Sequence, residues 1–298
     1  MSSSAQESVR HHYVPEFLLD KWVVPSTSNQ RTLNAYYWDP YRNEIRCKSN
    51  KGPRYYCYKK GLLTFDKPHP KGEDAIEAQF FREIDNKGAR VRDVLIQNGT
   101  GRLTVDERCD WARLLLSLDA RRPEIVEKLK NDGPDFLRKR LNTSRAIQEV
   151  MADYDLTGSP AEYYESSTGI SFQDASLAVI QQIVDNPKVG KKLINAHWHI
   201  RHLSDNAQPL ILSDRPLIRK QAYDSPDALW VLPLSPRIVF VAANHREKLN
   251  DLLNIGHRQF SKELNKLSAK QADKYVFSIS VSHEECLKRY LRKVSIDR

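Results

Sequence analysis

The hydrophobic period of this chain changes twice, and that double change constrains the fold more than any single motif. Up to about residue 65 the apolar residues come in short, strand-like runs. RTLNAYYW and NEIRCKS flank the turn sequence Asp39-Pro40-Tyr41-Arg42, and YYCYKKGLLTF follows, rich in aromatics and broken by Gly61. PHPKG at 68–72 then interrupts the pattern. From Glu73 the spacing is helical. Ile76, Phe80, Ile84, Val91 and Leu95 share one stripe, which ends before Asn98-Gly99. Thr104 with Glu107 three residues on is a capping box opening a helix to about Asp119. Pro123 suits the first turn of the next helix. Residues 135–153 and 173–194 are more weakly helical, and Gly158-Ser159-Pro160 between them predicts an exposed loop.

Strand patterns return after residue 196. NAHWHIRHL and PLILS lie on either side of Ser204-Asp205-Asn206-Ala207, which predicts a hairpin. ALWVLPL, RIVFVAA and KYVFSIS predict further strands, with a helix over about 246–272 between the last two and a short one from His283. Strands at both ends around a helical middle predict an α+β fold, in which the termini meet in one mostly antiparallel sheet. The corresponding organisation is a flexible leader at 1–10 and a single α+β domain at 11–298. That domain is strand-rich over 11–70, helical over 71–195, and built of strands plus a helix over 196–298.

At 298 residues and 40% hydrophobic, the chain can bury a core without metal or disulfide staples. No apolar run reaches the length of a membrane span, and residues 1–9 lack the basic and apolar regions of a signal peptide. A soluble, cytoplasmic protein without a membrane partner is the expectation. Cys47, Cys57, Cys109 and Cys286 form no CxxC pair and no zinc spacing, so they read as free thiols. The net charge of +9 attracts polyanions, which makes nucleic acid, a nucleotide or an acidic protein the natural partner classes. Lys and Arg are spread along the whole chain, so the charge describes association rather than a reaction. Nothing in the sequence sets the oligomeric state.

Several short polar motifs carry the chemistry. In HHYVPEFLL (11–19) Val14, Phe17, Leu18 and Leu19 can anchor a turn, and Pro15 biases Val14 toward extended backbone. His12, just ahead of that turn, is held as an acid–base catalyst needs to be, and equally as a structural histidine tying down a terminus would be. His197 and His199 share a strand face with Arg201. If the predicted hairpin closes, Asp214 approaches His199, a weak metal pattern that any half-solvated strand also shows. Ser213-Asp214-Arg215-Pro216 and Pro233-Leu234-Ser235-Pro236 follow apolar strands, and turns there would present Asp214 and Ser235 to one cleft. Asp74 and Glu77 lie one helical turn apart, a pair suited to acid–base work, to a divalent metal, or simply to a helix N-terminus. Arg122, before Pro123, can clamp a phosphate or sit at an exposed helix junction. Lys51 to Lys60 interleaves basic and aromatic residues, as a single-strand surface or a tyrosine-rich core strand does. There is no Walker loop, G-x-G-x-x-G, H-E-x-x-H or G-x-S-x-G.

Taken in order, HHYVPEFLL, EDAIEAQF (73–80), Arg122-Pro123, SDRPL (213–217), PLSP (233–236) and Asn265 resemble a mostly bacterial family of unknown function marked by an HYVP motif. The resemblance runs from about residue 11 to 280. It implies that His12, Glu77, Arg122, Asp214, Ser235 and Asn265 are motif positions. Arg215 departs from it, because Asn more often follows the Ser-Asp there, and His197 and His199 match no family motif. With the basic charge, this set predicts a phosphate-substrate hydrolase, foremost a nuclease of defence or toxin type. His12 would be the acid or base, Glu77 and Asp214 would orient water or a divalent metal, and Arg122, Ser235 and Asn265 would bind substrate. The alternatives are an enzyme processing an NAD-like nucleotide and a non-catalytic binding or regulatory module.

Overall fold

The computed structural model describes residues 10–25, 31–67 and 72–291. The leader at 1–9 and most of PHPKG lie outside them. The fold is α+β, with small antiparallel sheets and a helical middle. The described residues belong to two compact units, each assembled from separate stretches of chain.

The first unit takes in residues up to His11, Lys59–Glu83 and Ala120–Asn186. Its helices are Pro123–Asn142, Arg145–Asp153, Pro160–Thr168 and Phe172–Val184. The first and last pack together; Val126 is buried on the first, and Phe172, Leu177, Ile180 and Val184 on the last. Gly133 permits their approach: a Cβ there would stand 2.7 Å from the Ser176 side chain, closer than packed atoms allow. The exposed loop expected around Gly158 is there, over residues 154–159, and a helix begins directly after it. The Ser159 hydroxyl accepts from the Glu162 backbone N–H while the Glu162 carboxylate returns to the Ser159 N–H, and Pro160 fits the first helical position. The turn-forming residues thus both close the loop and start the helix. Ile76–Phe81 forms a π-helical turn running into the helix Arg82–Asn98.

The second unit takes in His12–Tyr58, Ile84–Asp119 and the residues from Pro187 on. One four-stranded antiparallel sheet has the order His197–His202, Ile238–Ala243, Leu229–Ser235, Ile218–Lys220. The Ile238–Ala243 strand is buried on both faces. Val239 and Val241 pack with Leu249, Phe260 and Leu264, and Phe240 meets the rings of Trp111 and Trp198 at 5.6 and 5.2 Å. A second sheet has the order Glu44–Lys48, Ala35–Asp39, Val276–Phe277, Leu212–Ser213. Early and late strands do meet there, as the pattern predicted, but not in a single sheet: the described strands divide into two four-stranded and two two-stranded sheets. The capping box at Thr104 also forms, with bonds of 2.8 and 3.2 Å.

Three expectations are corrected. NAHWHIRHL and PLILS form no hairpin: His197–His202 pairs with Ile238–Ala243, and Leu212–Ser213 joins the other sheet. The Arg237 guanidinium holds the intervening loop by donating to the carbonyls of Ser204, Asp205 and Ala207, so the chain leaves the first sheet instead of doubling back. The helix expected over 246–272 is two helices, Arg246–Asn254 and His257–Gln271. Ile255 is extended between them, and the buried Arg201 guanidinium takes the carbonyls of Leu252 and Ile255, satisfying groups a continuous helix would have bonded internally. In YYCYKKGLLTF only Tyr58–Lys60 is strand, because Cys57 and Gly61 turn the backbone at φ +55° and +64°. All four cysteines are free. Among the described residues no helix is long and apolar enough to cross a membrane.

Candidate functional site

HHYVPEF is built from the inside outward. Alternation along the Arg10–His12 strand sends His11 inward, fully buried, and leaves His12 partly exposed. The His11 Nδ1 accepts the Leu63 backbone N–H at 2.8 Å, so the proton of the neutral ring is on Nε2. That nitrogen lies 3.1 Å from an Asp74 carboxylate oxygen, which also accepts from the Thr64 hydroxyl at 2.7 Å. Sequence reasoning passed over His11, although two adjacent histidines on a strand must face opposite ways. It also paired Asp74 with Glu77, whereas Asp74 serves His11.

Beyond the strand, the Tyr13 N–H donates to the Cys57 carbonyl, and Val14, Leu18 and Leu19 are fully buried. Pro15 starts the short helix Glu16–Leu19. His12 is thereby fixed above that turn. Its Nε2 is 3.3 Å from the Arg54 carbonyl and 3.6 Å from a Glu16 carboxylate oxygen, and its ring is 5.8 Å from that of Tyr58. Glu16 and Arg54 also line a recess of about 380 Å³ with Asp20, Arg31, Lys51 and Tyr55. Lys51 and Arg54 each sit 5.0 Å from the centre of the Tyr55 ring, and the Arg54 guanidinium donates to its hydroxyl at 3.2 Å. Arg31 pairs with Asp20 at 3.2 Å. The recess therefore combines three cations, an aromatic ring and two carboxylates beside an imidazole.

Asp214, Asn265 and Ser235 have different surroundings. The Asp214 carboxylate is buried and accepts three backbone N–H groups, from Asp273 at 2.9 Å, Lys274 at 2.7 Å and Tyr275 at 2.9 Å. Burial pushes its carboxyl up to about 6, against the pull of those three donors. Desolvation also raises the half-buried Tyr13 phenol and the buried Cys57 thiol, and the nearby Asp214 carboxylate pushes both further up, while a hydrogen bond from Tyr13 partly offsets the shift at Cys57. Asn265 brackets the other end of the same extended segment, accepting from the Ile211 N–H at 3.0 Å and donating to the Pro209 carbonyl at 2.9 Å. The buried His283 meets that carbonyl through Nε2 at 2.7 Å and the Ser278 hydroxyl through Nδ1 at 2.7 Å. Residues 209–214 are thus clasped from both sides. Ser235 sits at the register shift between Leu229–Ser235 and Ile238–Ala243, where its hydroxyl accepts the Arg237 N–H at 3.2 Å. Asp214 itself is 1% exposed.

Glu77 and Arg122 belong to the first unit. Glu77 lies in the π-helical turn, and Arg122 stands at the N-terminus of Pro123–Asn142, 3.7 Å from Glu124. Its neighbour Arg121 is the fully buried one, with its guanidinium 5.2 Å from the Phe81 ring centre. His199 lies opposite Val241 in one sheet, while Ser213, which precedes Asp214, belongs to the other. The approach of Asp214 to His199 expected from a hairpin has no strand pairing to create it. Among the described residues no cluster of three His, Cys, Asp or Glu side chains is arranged to hold a metal ion.

Neither the curated proteins nor the solved structures contain a match to this chain. A family model described as "Protein of unknown function (DUF4238)" matches residues 10–281, from the strand that carries His12 to the turn before His283, and the chain belongs to that family.

Proposed function

We propose that this protein acts on nucleic acid and contacts its phosphodiester backbone in the recess beside His12. The observation that carries this reading is the recess itself, where Lys51 and Arg54 flank a tyrosine ring and Arg31 lines the same wall, next to a positioned imidazole. Cations neutralise phosphate, and an aromatic face beside them is a platform that any base can use. In a nuclease of this design His12 moves a proton between water and the bridging oxygen, while Glu16, 3.6 Å from Nε2, holds the ring. Such a protein would work in the cytoplasm, where its substrate and reduced thiols coexist, and a defence or toxin role would follow from that activity. The recess volume of about 380 Å³ also falls in the small-molecule range, which favours a free nucleotide as the second reading.

The test is binding and turnover of fluorescein-labelled RNA and single- and double-stranded DNA, with and without divalent metal. Lys51→Ala/Arg54→Ala should weaken binding roughly tenfold, in line with removal of two cations from the phosphate path. His12→Gln should abolish cleavage, and any growth arrest on expression, while leaving binding intact. If the wild type binds mononucleotide or NAD but no polynucleotide, the second reading replaces the first. Unaltered binding in the double variant removes the recess from both.

A further inference from the structure

The helix His257–Gln271 buries Phe260, Leu264, Asn265 and Ser268 on its inner side. Arg258, Lys262, Lys266 and Lys270 recur on it at intervals of four, forming one row. Each step of four residues rises about 6 Å, so the row places four cations along about 18 Å. The helix Glu284–Tyr290 adds Lys288 and Arg289. Together the two helices line a groove of about 690 Å³ whose walls carry Arg258, Lys262, Lys266, Lys288 and Arg289 against the carboxylates Glu263 and Glu285. Those carboxylates are committed locally, Glu263 to Lys266 at 3.1 Å and Glu285 to Lys288 at 3.7 Å. Arg258, Lys262 and Arg289 have no carboxylate within ion-pair distance among the described residues. The half-buried Tyr290 ring gathers three cations, with Lys270 at 5.3 Å, Arg289 at 5.4 Å and Lys266 at 5.7 Å from its centre. Long, mobile heads are held together in this way.

We infer that this groove is a second nucleic-acid site, one that tracks the sugar–phosphate backbone of a single strand. The inference rests on the nucleic-acid reading above and adds to it a strand class and a separate place of contact. Three features select this ligand. The cations are evenly spaced along a rigid helix, matching a chain of repeating charges better than one compact anion. A groove of about 690 Å³ accepts a few nucleotides of single strand, whereas a duplex, with a major groove alone about 12 Å wide, would only lie across its mouth. Its aromatic ring is already occupied by cations, so the contact reads charge and not base identity.

The experiment measures binding of the full chain to fluorescein-labelled oligo(dT) and to a duplex of the same length by anisotropy, from about 50 to about 200 mM salt. Lys262→Glu/Arg289→Glu should weaken oligo(dT) binding at least tenfold. The milder Lys262→Gln/Arg289→Gln should lower the slope of log K against log salt by about 1.4, at about 0.7 for each phosphate no longer neutralised. The same reversal at the exposed Lys139 and Arg140 controls for net charge and should change binding far less. The recess variant Lys51→Ala/Arg54→Ala separates the two readings. Weakening by the groove variants but not by the recess variant upholds the groove and removes the recess. Weakening by the recess variant alone overturns the groove. Equal or tighter duplex binding in wild type, or groove variants that lose only binding to phosphatidylserine vesicles, also overturns it.

Discussion

Replacing Asp214 distinguishes a residue that holds the backbone from one that performs chemistry, and the structure sets the size of the effect. In Asp214→Ala three N–H donors, those of Asp273, Lys274 and Tyr275, lose their acceptor. A donor left unsatisfied costs about 1–3 kcal/mol. Residues 273 and 274 are exposed enough for water to reach part of this loop, so about 3–5 kcal/mol in total is expected, at the lower end of the summed range. Asp214→Asn behaves differently. Its carbonyl can replace the oxygen that serves both Lys274 and Tyr275, leaving only the Asp273 donor opposed by an amide N–H. Against that loss of about 1–3 kcal/mol stands relief from burying a charge. Wild-type Asp214 is raised from 3.8 to about 6, roughly two units or about 3 kcal/mol. The two terms nearly cancel, and the Asn variant should lie within about 1–2 kcal/mol of wild type near neutral pH.

The same raised carboxyl fixes a pH dependence. Its stabilising contribution is fully present below the unfolded value and is lost as pH rises through about 6. Between pH 7 and pH 5 wild type should therefore gain about 1.3 kcal/mol relative to the Asn variant. Urea unfolding at the two pH values, followed by tryptophan fluorescence, measures all three quantities. If the Ala variant unfolds within about 0.5 kcal/mol of wild type, a normal surface substitution, while nucleic-acid binding or cleavage disappears, the clasp argument is refuted and Asp214 is a functional group.

Two further substitutions test the rest of the polar framework. His11→Ala removes the acceptor of the Leu63 N–H together with the Asp74 contact and should cost about 2–4 kcal/mol in urea unfolding, whereas His11→Asn, which retains an acceptor near Nδ1, should cost about half as much. Burial lowers the His283 pKa, so its contribution is complete above about 6.5 and is lost as pH falls below that toward the folded value, at up to about 1.4 kcal/mol per pH unit. His283→Gln should flatten that acid limb in a melting-temperature series from about pH 7.5 to about pH 5, opposite in sign to the Asp214 effect.

Legibility in the sequence followed the range of the forces involved. Helix starts and stops at Thr104, Pro123 and Asn98 are decided by neighbours within one turn, and each was readable. The Ala35–Asp39 and Glu44–Lys48 hairpin was readable for the same reason, since its turn residues lie between its strands. The failed hairpin after His202 depended on Arg237, about thirty residues downstream, whose guanidinium captures the loop carbonyls. The break at Ile255-Gly256 depended on Arg201, more than fifty residues upstream. Both are long-range arginine contacts with backbone carbonyls, and neither leaves a periodic trace. His11 is the exception, because strand alternation alone would have placed one of the two histidines inside.

The candidate site was legible in a different sense. Asp214, Asn265 and Ser235 were conspicuous as polar residues beside apolar strands, and all three prove to hold backbone groups. This has a physical reason. A short strand such as Leu212–Ser213 supplies few ladder bonds of its own, so its flanks need side-chain partners, and those partners must be polar and fully satisfied once buried. Motif prominence in such a fold therefore marks places where secondary structure is too short to bond itself, as well as places where chemistry occurs. The groove proposed as a nucleic-acid site has the opposite signature. The Arg258–Lys262–Lys266–Lys270 row is ordinary helix composition in sequence and acquires meaning only when Lys288, Arg289 and Tyr290 from a second helix close the groove beside it. Variants at the motif residues should accordingly be read first as folding measurements, and variants of exposed cations as the measurements of function.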